Sequence, residues 1–296
     1  FSFEDILGTT DRSGRKSPNN SFMVRPLDGI STVQAIGVNY SDDWGAKGKV
    51  TASYFFNRTD NRNTSQSDRQ TFTSTDKLVL YNDENRSKTL NLNHRFNSRI
   101  DYKFSDRHSV MMRTSFSLQD NNSRNELRSR TDNKFSDDDI RFVYRRRNFG
   151  HNNSDGYNVS NYLLYRYRLP GAKSHNLTVG AGGTYRSYEQ LSRPRQYTFR
   201  DPDNIECDTS DYSSRNITRT DRDQPGYDVN GNVSYTRSLS KRSRLSFEYR
   251  INYTDNSVER NTFVLTKENV FPDERNPKQS TEYDYAYLTH RIGSTY

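Results

Sequence analysis

From Thr89 to Ser105 polar and apolar residues alternate with a period of two. The even positions read Leu90, Leu92, His94, Phe96, Ser98, Ile100, Tyr102 and Phe104; six of these eight are apolar, and none of the nine odd ones is. Successive side chains of an extended strand point to opposite faces, so this pattern predicts a strand with one greasy face and one wet face. It recurs with Val50, Ala52, Tyr54 and Phe56, with Val110, Met112, Phe116 and Leu118, and with Leu177, Val179, Ala181 and Tyr185. It recurs again with Tyr227, Val229, Val233 and Tyr235, and with Leu245, Phe247, Tyr249, Ile251 and Tyr253. Tyr157, Val159, Leu163, Tyr165, Tyr167 and Leu169 follow it too, although Tyr162 and Leu164 break that stretch. No comparable segment shows the i, i+3, i+4 spacing of a helix, so the chain is predicted to be all-β and antiparallel.

The connections are predicted to alternate in length. Ser105–Ser109, Pro170–Ser174 and Leu239–Ser243 read as tight turns, whereas 120–155, 189–226 and 255–280 read as long polar loops. Short turns at one end and long loops at the other suit an up-and-down transmembrane β-barrel. Strand length favours it over a soluble sandwich. Soluble strands average about 5–6 residues, whereas the 89–105 pattern runs for 17. At about 3.3 Å per residue and a tilt near 40°, that strand rises about 40 Å, more than the roughly 25 Å apolar band a barrel needs.

Composition fits the same picture. Hydrophobic residues make up 30% of the 296 and charged ones 28%, with a mean hydropathy of −1.15. An ordinary domain is about 45–50% apolar, so a thick aliphatic core is excluded. The 21 Tyr and 16 Phe argue against disorder. A barrel needs apolar residues only at alternate positions of its embedded part, with aromatics at the interfaces. No apolar run is long enough for a transmembrane helix.

The formal charge is +8, with Arg outnumbering Lys about three to one. Nucleic acid is not expected as a partner, because cations alternate with apolar residues and are diluted by 37 acids rather than gathered in one groove. If the apolar face meets lipid, then Arg95, Arg99, Lys103, Arg113, Arg166, Arg168, Arg186 and Arg250 point into the lumen, where they are the candidate ligand contacts. A guanidinium offers a bidentate fork to carboxylates, phosphates or sugars. The competing reading is that these cations pair with neighbouring acids, Arg250 with Glu248 for example.

No catalytic signature is present, and neither enzyme activity nor a cofactor is expected. Cys207 is the one cysteine and reads as an incidental thiol in a polar loop. His94 falls on the apolar face as a packed or interfacial histidine. The acidic clusters Asp137–Asp139 and Asp201, Asp203 and Glu206 have no EF-hand pattern and read as solvated loop charge, so no metal is expected. Arg145–Arg147 stands where a long loop re-enters a strand and reads as a solubilising run with possible contact to lipopolysaccharide.

Three stretches carry a family resemblance: GISTVQAIGVNYSDDWGAKGKVTASYFFN from Gly29 to Asn57, Asn93–Asn97 with Asp101–Phe104, and Gly156–Arg166. Together they resemble the TonB-dependent-receptor-like outer-membrane barrels of Bacteroidota. The resemblance implies a carboxypeptidase-regulatory-like domain, a plug and a barrel of about 22 strands. This chain shows about 12 strand candidates and no plug or TonB box, so it corresponds to about half of such a barrel. Residues 1–31 are then the lead-in and 32–296 the barrel portion.

Implied with the resemblance are a place in the cell outer membrane, transport of a bulky nutrient, and outer-membrane lipid and lipopolysaccharide as surroundings. A plug and TonB, or surface lipoproteins, would be the protein partners. A non-transporting scaffold and a secreted β-rich adhesin are the alternatives.

Overall fold

The computed structural model describes residues 29–74, 77–135, 139–170, 175–239, 243–266, 270–272 and 274–296. Most of the expected 1–31 lead-in, residues 137 and 138 of the acidic run, and parts of the turns at 170–174 and 239–243 lie outside the described residues. Eleven strands form one antiparallel sheet. They are β1 (Ile30–Trp44), β2 (Gly48–Ser74), β3 (Lys77–Lys103), β4 (His108–Phe135), β5 (Ile140–Arg168), β6 (His175–Ser192), β7 (Arg195–Phe199), β8 (Ser214–Asp223), β9 (Gly226–Ser238), β10 (Arg244–Val264) and β11 (Thr281–Thr295). The fold is the expected all-β up-and-down antiparallel one. Pro194 lies between β6 and β7, and Pro225 between β8 and β9; proline has no N–H to give the ladder. Each pair is therefore one traversal with a break, and the sheet runs as a meander from β1 to β11. Among the described residues β1 pairs only with β2 and β11 only with β10, so the sheet has two open edges.

One expectation is corrected. The stretch 120–155 is nearly all strand, 189–226 is about half strand, and 255–280 opens with strand as far as Val264. β4 continues to Phe135, β5 starts again at Ile140, and β2 reaches Ser74 three residues before β3 begins. The reason is physical. Beyond the apolar band both faces are wet, so the hydrophobic alternation that advertises a strand disappears while the backbone ladder persists. Arginine and a carboxylate two residues apart share a face there and pair, as in Arg86–Glu84 (2.6 Å), Arg128–Glu126 (2.9 Å) and Arg130–Asp132 (2.8 Å). Exposed pairs of this kind contribute about 0–1 kcal/mol each.

The register sorts the side chains into two faces. On one face lie rows of opposed residues, including Trp44–Gly48–Tyr102–Val110–Tyr165–Val179–Val233–Tyr249–Ile292 and, further along, Val38–Tyr54–Phe96–Phe116–Val159–Tyr185–Tyr227. From the His108–Tyr167 row to the Leu118–Tyr157 row, ten residues of strand separate the two ends of this apolar band. At about 3.3 Å per residue and a tilt near 40°, its height is about 25 Å. Aromatics crowd its ends: Tyr102, Phe104, Tyr165, Tyr167 and Tyr235 at the turn end, and Tyr54, Phe56, Phe96, Phe116, Tyr157 and Tyr185 at the other. His94 lies among the latter, 2.8 Å from the Tyr54 hydroxyl. Asn161, midway up, accepts a hydrogen bond from Thr114 at 2.7 Å.

Nothing in the described chain covers this face. Leu163 is 49% exposed and Phe247 51%. The most buried side chains are mainly polar, with Asn91 at 2%, Asn61 at 3% and Thr254 at 3%. They sit on the other face, where Asn91 accepts from Gln119 at 2.7 Å. The sheet has an apolar exterior and a polar interior, the reverse of a soluble sandwich.

Gly180 shows how the polar face packs. Tyr162 lies across it and donates its hydroxyl to Asn232 Oδ1 at 2.9 Å. A Cβ at Gly180 would collide with both the Tyr162 hydroxyl and Asn232 Oδ1. We expect Gly180→Ala to cost about 1 kcal/mol by breaking that bond, and to cost less in a Tyr162→Ser background, where only the Asn232 contact remains. Urea unfolding across the double-mutant cycle measures both values.

Candidate functional site

The register places all eight candidate residues on the polar face. Arg95, Arg99 and Lys103 are odd positions of β3, and Arg113 on β4 stands directly opposite Arg99. Arg166 and Arg168 on β5, Arg186 on β6 and Arg250 on β10 lie on the same side. They do not form one cluster, and their states differ.

Three are tied to acids. Arg99 makes a two-pronged contact with Asp101, Nε to Oδ2 at 2.5 Å and Nη2 to Oδ1 at 2.9 Å. Arg250 holds Glu248 at 2.5 Å. Arg186 bonds Asp228 at 2.8 Å and reaches Asn256 Oδ1 at 3.0 Å, so it straps β6, β9 and β10 together. These arginines set the shape of the wall. Arg113, by contrast, faces Arg99 with no carboxylate partner of its own among the described residues.

Around Arg99 and Arg113 the sheet forms a concavity of about 570 Å³. Its other polar-face lining includes Asn39, Ser41, Thr51, Ser53, Asn97, Ser115, Ser160 and Tyr162. Hydroxyls and amides supply donors and acceptors at close spacing, and Arg113, opposite the Asp101-paired Arg99, leaves one positive charge unmatched. Such a surface suits an anionic or hydroxyl-rich solute.

Sequence reasoning missed two parts of this wall. Tyr162 appeared only as a break in alternation, yet its place on the polar face is what puts it in the concavity. Tyr283, Tyr285 and Tyr287 on β11 also face this side. Their rings follow one another with centroids 6.2 and 6.4 Å apart and planes inclined by 22° and 3°. The alternation Tyr283-Asp284-Tyr285-Ala286-Tyr287 carried that signal.

Cys207 and Arg145–Arg147 make contacts within the chain. Cys207 is buried in the 200–213 connection, and burial pushes its thiol up, away from a reactive thiolate. Among the described residues no cluster of histidine, cysteine or acids could hold a metal ion. Arg145–Arg147 lies inside β5 rather than at a loop re-entry. There Arg145 donates to the Pro202 carbonyl at 3.0 Å and Arg147 pairs with Glu126 at 2.8 Å.

No known protein family matches the sequence, and no curated protein does. Among solved structures the chain aligns with Pseudomonas aeruginosa OccD3 (OpdP) at 6% identity, covering 90% of this chain and 93% of that one, with a TM-score of 0.13. A BenF-like porin from Pseudomonas fluorescens Pf-5 gives 8% identity, 90% and 97% coverage and a TM-score of 0.11. The outer membrane protein OprD from Pseudomonas aeruginosa gives 8%, 88%, 93% and 0.11. Superposition this poor carries no weight for fold or function. Nothing in these comparisons supports the TonB-dependent family or Bacteroidota.

If the wall selects by charge, Arg113→Gln in the complete protein should shift the reversal potential in a salt gradient toward cations. Asp101→Asn frees Arg99 and should shift it toward anions. Planar-bilayer recording checks both signs.

Proposed function

We propose that the chain is part of the wall of an outer-membrane β-barrel that passes polar solutes. The observation that carries this is the uncovered apolar band of about 25 Å, flanked by aromatics and backed by a continuous polar face. A surface of that extent in a soluble protein would drive association. Lipid satisfies it without any covering layer. The two open edges would be costly in hydrocarbon, where each unpaired backbone group costs several kcal/mol, so β1 and β11 must pair with further strands in the membrane.

In finer detail we read the barrel as a TonB-dependent-type transporter for a bulky nutrient, as the family resemblance implies. The hydrogen-bonding lumen wall and the Tyr283–Tyr287 row would contact the solute. One observation favours a second role. β5 continues from Tyr157 to Ile140 beyond the band, projecting about 40 Å from the bilayer. That projection offers a rigid wall on which surface partners of a scaffold could dock.

Nitroxide labels test the membrane reading. In the complete protein, with Cys207→Ser as background, a label at Leu163→Cys should be accessible to oxygen and shielded from a nickel chelate. One at Ser115→Cys should show the reverse. The opposite pattern, or equal chelate access at both positions, overturns the reading. Leu163→Arg should destabilise the protein refolded in bilayers by about 2–4 kcal/mol, measured by denaturant titration.

A further inference from the structure

About 15 Å beyond the band, by the same rise and tilt, the lipid-side face carries a row of cations. On β2 to β5 one row of directly opposed residues reads Arg62, Lys88, Arg124 and His151. Arg86 and Arg195 flank it in a concavity of about 450 Å³, whose wall includes Phe149. Cations placed opposite one another repel, so this row costs the sheet stability. Asp60 offsets part of that, 3.6 Å from Arg62 and 3.8 Å from Lys88. Glu126, the acid in the concavity, is taken up by Arg128 and Arg147. Arg124 has no carboxylate partner among the described residues. Arg62 and Lys88 keep 70% and 54% of their side-chain surface exposed. The charge faces outward, toward whatever surrounds the barrel.

Height selects the occupant. The row stands about 15 Å above the Leu118–Tyr157 row, by the same rise and tilt. A phospholipid headgroup layer is only about 5–8 Å thick, so its phosphate lies too low. A glycolipid whose sugars carry phosphates reaches this level. Guanidinium forks and a lysine bind phosphate, and Phe149 offers an aromatic face beside them. About 10 Å nearer the band on the same face, Asp120 on β4, Asp155 on β5, Glu189, Asp223, Glu259 and Glu282 oppose one another in register, whereas β2 and β3 carry Arg58 and Leu92 at that level. The basic row is therefore one level of β2–β5, standing above acids on β4 and β5.

We propose that this concavity binds the phosphorylated sugar headgroup of an outer-leaflet glycolipid. The proposal rests on the membrane reading above. Its test is native mass spectrometry of the complete protein extracted from outer membranes in mild detergent. Wild type should retain a phosphorylated glycolipid. Lys88→Gln/Arg124→Gln should retain about tenfold less, as for loss of charge-assisted contacts worth one decade of affinity. Lys88→Arg/Arg124→Lys, which keeps the charge, should retain it, and Lys49→Gln/Arg237→Gln, at the turn end of the strands, should match wild type.

Unchanged retention in the neutral double variant overturns the proposal, as does an equal loss in the turn-end variant. Displacement of the lipid by equimolar inorganic phosphate would mark a soluble-phosphate site instead and also overturn it. The nitroxide pattern, read on the same preparations, separates the two failures. An oxygen-exposed Leu163 with unchanged lipid retention sinks this proposal alone, whereas a water-exposed Leu163 sinks the membrane reading beneath it.

Discussion

Cross-strand register is the constraint on which the structure depends. With a side-chain period of two, a slip of one residue would send every apolar side chain of a strand to the opposite face. Across β2 to β6 and on through β9 to β11 the register holds, so that Phe96 meets Phe116, Phe116 meets Val159 and Val159 meets Tyr185 on one side. On the other side Asn97 meets Ser115 and Ser115 meets Ser160. A single continuous ladder thereby produces two chemically unlike surfaces. Each surface can do its work only because the ladder is continuous through the apolar band; the shifts at Phe72/Ser74 and Thr131/Asp132 and the breaks at Pro194 and Pro225 lie at its edge or beyond.

The energetics follow from that division. The interior of the sheet is held by side-chain hydrogen bonds such as Ser115–Ser160 at 2.6 Å and Gln119–Asn91 at 2.7 Å, with little aliphatic packing. Net contributions of such bonds are about 0.5–1.5 kcal/mol each. Stability must therefore come mostly from the backbone ladder and from whatever covers the apolar band. On the proposed membrane reading, hydrocarbon would do both jobs at once, since it solvates the band and removes water as a competitor for backbone groups. Outside the band water returns, and the chain answers with arginine–carboxylate pairs along each strand.

The polar face has a similar economy. Arg186 and Arg250 were candidates for contact with a solute, but their acids hold them in the wall. Charge left unmatched is found where cations face each other, at Arg113 opposite the Asp101-paired Arg99 on the polar face and at Arg124 between Lys88 and His151 on the apolar side. Opposed like charges in a sheet are costly. Sites that keep them are where an external anion would recover the cost.

What the linear chain determined by itself was local and periodic. The alternation at Leu90–Phe104 and Leu245–Tyr253 decided strand, face and polarity, because side-chain direction in a strand depends on position alone. It placed the eight candidate cations on one face for the same reason. Tertiary structure decided everything that needs one strand's neighbour. The extension of β4 and β5 through Asn- and Arg-rich sequence was illegible, since two wet faces leave no hydrophobic contrast to read. Which arginine has a partner was equally hidden, because Asp228 reaches Arg186 only through pairing 42 residues away in sequence. The basic row was hidden as well: Arg62, Lys88, Arg124 and His151 lie on four different strands, and register alone brings them level.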